Sequence, residues 1–120
     1  MSMFQRYQTV SVQKTPEGYV ARGDLCDHIY GMAVKLAVDP DLVVTDIQGE
    51  MIRYTTDRCP LGLESLAKAK GLNLAESAVE SRIKKEIGRP GCRHLATLLV
   101  TLARCLRRNK EFQAGSIDGC

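Results

Sequence analysis

The 120-residue chain is expected to form an α+β domain: an antiparallel sheet of about four strands in two hairpins, followed by three helices packed on one face. Two observations predict this. Up to about residue 54 apolar and polar residues alternate between Pro- and Gly-containing breaks, and beyond Pro60 the apolar residues recur at three- and four-residue steps. A length of 120 residues with 44% hydrophobic composition is enough for one core without a disulfide framework. Residues 1–112 are accordingly expected to be one domain and residues 113–120 a mobile tail.

The first hairpin is "RYQTVSVQ" and "GYVARGDL" around "KTPEG", where Pro16 and Gly18 supply the turn. In the second, "GMAVKLAV" puts Met32, Val34, Leu36 and Val38 on one face and Lys35 on the other. "DPD" turns the chain at Pro40, and "LVVTDIQGEMIRY" returns it. Leu63, Leu66, Ala67 and Ala69 before Gly71 predict a short helix ended by its glycine. "NLAESAVESRIKKEIG" predicts a second helix, with Asn73 as N-cap, Leu74, Ala78, Val79, Ile83 and Ile87 as its apolar line, and Gly88 as its end. Residues 88–91 form a connector. In the last helix Leu95, Leu98, Leu99, Leu102, Ala103 and Leu106 form a stripe expected to pack on the strand face of Val34, Leu36 and Val38. Cys105, seven residues after Leu98, is expected in that core.

The formal net charge of +3 is unevenly spread. Residues 81–112 carry Arg82, Lys84, Lys85, Arg89, Arg93 and four more basic residues between Arg104 and Lys110, against Glu86 and Glu111. Aromatic residues make up 5% of the chain and Trp is absent, so stacking platforms for nucleic acid are scarce and a solvated helical face is the favoured reading. No apolar run is long enough to span a bilayer, and "MSMFQRYQTV" lacks a signal-peptide pattern. A cytoplasmic protein is expected, with no membrane or nucleic-acid partner; a protein partner or a homo-oligomer fits. Cys26, Cys59, Cys92, Cys105 and Cys120 are an odd set at wide spacings, expected to stay as thiols.

The stretch "GRPGCRHLATLL" concentrates the chemistry. Cys92 is expected at the N-cap or first turn of the last helix, where free N–H groups and the positive dipole end favour a thiolate, and His94 lies in the same turn. Cys59 precedes Pro60 at the strand-to-helix junction, and "CDH" at 26–28 opens the second hairpin. An antiparallel pair returns the chain to the end it started from. Asp27, His28, Cys59, Cys92 and His94 are therefore expected to converge on one pocket that the last helix enters.

The layout resembles iron-sulfur cluster scaffolds of the IscU/NifU type, a SufE/NifU-like fold. The residues that carry the likeness are "DHIYGMAVKLAVDPDLVVTDIQGEMI", the cysteine-headed "CPLGLESLAKAKGLNL" and "PGCRHLATLLVTLARCL". The resemblance implies ligands at His28 or Asp27, at Cys59, and at Cys92 with His94. The chain also resembles a bacterial family known as domain of unknown function 2889, through a "D..DH...M.V.L.VD..L.V.D" pattern, a mid-chain cysteine and "G..GC.HL..LL". That resemblance implies that Asp27, His28, Cys59, Cys92 and His94 belong together, and it brings no reaction with it.

The first functional expectation is a metal-binding accessory protein holding Zn or Fe, or an iron-sulfur cluster, on these five residues. The second is a cysteine-dependent enzyme or small-molecule binding module. There Cys92 is the nucleophile, His94 or His28 the base, and Asp27 the residue that orients the imidazole. The third is a structural or interaction module in which the cysteines only pack.

Overall fold

Strong alternation leaves a segment one way to bury its apolar side, and residues 7–53 take it. A computed structural model describes residues 7–27, 30–53, 62–89 and 91–114. Strands β1 (Tyr7–Thr15), β2 (Gly18–Cys26), β3 (Gly31–Val38) and β4 (Val44–Arg53) form one antiparallel sheet in the order β1-β2-β3-β4. Tyr19, Ala21, Leu25, Met32, Val34, Leu36 and Val38 are buried on one face, while Arg22 and Lys35 are exposed on the other. At the β3–β4 turn Asp39 Oδ1 accepts the N–H groups of Asp41 and Val43, at 2.9 and 3.0 Å. Leu42 takes a left-handed φ of 68° there. Such a conformation costs an L-residue roughly 1–2 kcal/mol, which burial of the Leu42 side chain offsets.

A cross-strand row on the helix-covered face runs Gly23, Val34, Gly49. Each glycine leaves a notch. A Cβ at Gly23 would meet Leu98 Cδ1 at 2.9 Å and Leu102 Cδ2 at 3.1 Å, and one at Gly49 would meet Leu63 Cδ2 at 2.8 Å and collide with Leu66. The last helix, α2 (Arg93–Ala114), thus seats on β2, and the first helical segment seats on β4.

That first segment, Gly62–Ala69, is a 3₁₀ helix, not an α-helix. Three residues per turn eclipse every third side chain, which lines up Leu63, Leu66 and Ala69 toward the core; Ala67 is exposed. Gly71 (φ 90°) then turns the chain into a clasp on the β3–β4 turn. Gly71 N–H donates to Val44 O, Val44 N–H to Leu72 O and Leu74 N–H to Leu42 O, each at 2.9 Å.

The clasp corrects the second expected helix. Asn73 bridges Val43 and its Oδ1 accepts Ala75 N–H at 2.9 Å, closing a local turn instead of capping a helix. α1 covers only Val79–Ile83, and it runs on as a π-helical turn, Lys84–Gly88. Ala78 is exposed, outside the apolar line it was expected to join. Leu74, Val79, Ile83 and Ile87 are buried as expected.

In α2, Leu95, Leu98, Leu99, Leu102, Ala103 and Leu106 are all buried. Cys105 is only half-buried and lines a surface hollow with Arg104, Arg107 and Arg108, so it is not a core cysteine. The expected solvated basic face is partly engaged. Arg104 and Arg107 both grip Glu80 of α1 at 2.6 Å, and their hydrogen bonds, Arg104 first, pull the Glu80 carboxyl down from its ordinary 4.5 to about 2. α2 continues to Ala114, past the expected start of the tail at residue 113. No helix among the described residues is long and apolar enough to cross a membrane.

Candidate functional site

Cys92 directly precedes α2, and its carbonyl accepts Ala96 N–H at 3.1 Å, which makes it the N-cap residue. The placement of this end depends on Gly91. A Cβ there would lie 2.7 Å from Ser65 Oγ and 2.8 Å from Ile87 O, so only a glycine lets the connector press between the 3₁₀ helix and the π turn. Cys92 is buried within the apolar layer.

Two residues on, His94 is half-buried and its ring meets Tyr30, with centroids 4.1 Å apart and planes tilted by 35°. The two rings are in direct contact. This contact fixes the start of α2 against the β2–β3 turn. Two bonds join Asp27 to Tyr30: Asp27 N–H donates to Tyr30 O at 2.8 Å, and Tyr30 N–H donates to Asp27 Oδ1 at 2.6 Å. The Asp27 carboxylate is buried, with 6% of the residue exposed.

Arg53, the last residue of β4, reaches across the mouth of the turn. Its Nη2 donates to Asp27 O at 2.7 Å and to Tyr30 O at 3.2 Å, and lies 2.9 Å from Cys26 Sγ. Gly31 makes room for it, since a Cβ there would sit 3.2 Å from the Arg53 guanidinium carbon. One side chain therefore ties the ends of β2, β3 and β4 together.

Of the sequence-predicted residues, Asp27, Cys92 and His94 lie in the elements that meet at this corner. His28 and Cys59 lie outside the described residues. Among the described residues no three His, Cys, Asp or Glu side chains form a group able to hold a metal ion. Sequence reasoning missed Tyr30 and Arg53. The signal for Tyr30 was an aromatic residue inside a short turn, beside the glycine that opens β3; a lone arginine at a strand end gives none.

A family model described as "Protein of unknown function (DUF2889)" matches residues 8–108, and the chain belongs to that family. No curated protein and no solved structure matches it.

Proposed function

We propose that the protein is a metal-binding accessory protein whose site is the corner between the β2–β3 turn and the start of α2. The observation that carries this reading is the Tyr30–His94 ring contact, which joins the segment of Asp27 and Tyr30 to the segment of Cys92 and His94. Asp27, His28, Cys59, Cys92 and His94 are the candidate ligands. A set of imidazole, thiolate and carboxylate donors suits Zn or Fe. The iron-sulfur variant of the reading calls on the Cys59 and Cys92 thiolates together.

Elemental analysis of anaerobically purified protein tests the proposal. Stoichiometric Zn or Fe is expected in the native chain and is lost in His94→Ala and Cys92→Ala. Folded protein that is metal-free as isolated and takes up neither ion sinks it. If a single thiol instead reacts with iodoacetamide well below the pH range of free cysteine, the site is a nucleophile's and the enzyme reading replaces the metal one.

A further inference from the structure

An antiparallel sheet ends in two outer strands, each offering a row of backbone donors and acceptors that another strand can pair with. The two outer strands here are treated differently. β4 is guarded: its register with β3 shifts near both ends, at Gly31/Met32 and Ala37/Val38, and it carries Asp46, Glu50 and Arg53. Its first residue is taken up by the clasp of residues 71–74. Bulges, charges and a covering segment are the usual means of keeping a foreign strand off an edge.

β1 has little of this protection. "YQTVSVQKT" pairs with β2 without a register break from Tyr7↔Cys26 to Thr15↔Gly18. It contains no proline and no acidic residue, its only charge is Lys14, and its Val, Thr and Tyr content favours extended chain. From Gln8 to Thr15, no strand or backbone hydrogen bond from the described residues engages its outer edge.

We propose that this edge pairs with a second copy of the chain, β1 against β1, joining two four-stranded sheets into one continuous antiparallel sheet. The strand is its own complement. With Ser11 on a twofold axis normal to the sheet, Val10 stands opposite the partner's Val12, Thr9 opposite the partner's Gln13 and Gln8 opposite the partner's Lys14. Val10 and Val12 already pack against the core on the helix-covered face, so the pairing extends the apolar layer across the joint. The one cation of each strand meets a carboxamide, and no like charges oppose each other. A twofold normal to the sheet also leaves the helices of both copies on the same side.

Sedimentation of the full chain under reducing conditions tests this, with a dimer as the expected species. Ser11→Glu should raise the dimer dissociation constant by about tenfold or more, because the axis sets two carboxylates face to face. Within one copy the same substitution is tolerated, since Ser11 pairs with Arg22 on β2; unchanged circular dichroism would confirm the fold. In Ser11→Cys, opposed positions about 4.5–5.5 Å apart at Cα suit a disulfide. Mild oxidation should then yield a dimer whose cross-linked peptide joins position 11 to position 11. A native chain that stays monomeric at every attainable concentration overturns the proposal. So does a dimer that Ser11→Glu leaves intact, or a Ser11→Cys dimer with no 11-to-11 peptide, since either assigns the contact to another surface.

Discussion

The sheet with α2 and the stretch of residues 62–91 use the same kinds of residue under different rules. In β3, alternation alone decides the structure: Met32, Val34, Leu36 and Val38 go in and Lys35 goes out. In α2 the leucine stripe decides in the same way. Between residues 62 and 89 the leucines, isoleucines and Val79 still reach the core, but the backbone adopts a 3₁₀ helix, a clasp, one α turn and a π turn to bring them there. Burial was encoded locally in both regions. What local pattern does not carry is the pairing of residues 71–74 with the distant β3–β4 turn, where Leu74 N–H donates to Leu42 O.

The largest expected effect tests the regular region. Leu99 is fully buried in the N-terminal half of α2, and Leu99→Ala should cost about 2–5 kcal/mol, seen as a fall in the denaturation midpoint in urea. A negligible shift would mean that the stripe does not carry the packing. Asn73→Ala comes next. Loss of the bond that Asn73 Oδ1 accepts from Ala75 N–H should cost about 0.5–1.5 kcal/mol, and an unchanged urea midpoint would mean that this side chain does not hold the clasp.

The smallest effect concerns the half-buried carboxylate that links the two regions. The Glu80 carboxyl is lowered to about 2 in the folded chain, so its contribution is fully present above its ordinary 4.5 and fades as pH falls toward about 2. Glu80→Gln should therefore narrow the stability difference from native protein as pH falls through that window, and added salt should weaken the effect. Parallel melting-temperature profiles for the two proteins would show that the pairing with Arg104 and Arg107 contributes nothing.

At the candidate site, what could be read was again what depends on neighbours along the chain. The Cys92 cap follows from glycine, proline and a leucine period in sequence. An antiparallel hairpin returning to its own start anticipated that Asp27 and the start of α2 share one end of the fold. Tyr30 and Arg53 were not legible, because their roles come from a ring and a guanidinium reached across three strand ends. Cys105 misled for a geometric reason. The buried stripe is centred near Leu95, Leu99 and Leu106, with Leu98 at its edge, and a seven-residue step from Leu98 turns about 20° farther out, which places Cys105 beside Arg104 and Arg108.

The paired notches at Gly23 and Gly49 bear on how the two layers can move. Leucine tips seated in them act as detents: for α2 or the 3₁₀ helix to slide along its strand, Leu98 or Leu66 must climb over the neighbouring side chains on β2 or β4. Small sliding of packed helices is an ordinary way for layered proteins to shear, and here it is blocked on both sides of Val34. The helical layer is left to tilt or lift as a unit, not to creep. The spacing of the Tyr30–His94 corner is thus held from the middle of the sheet, by two residues that have no side chain of their own.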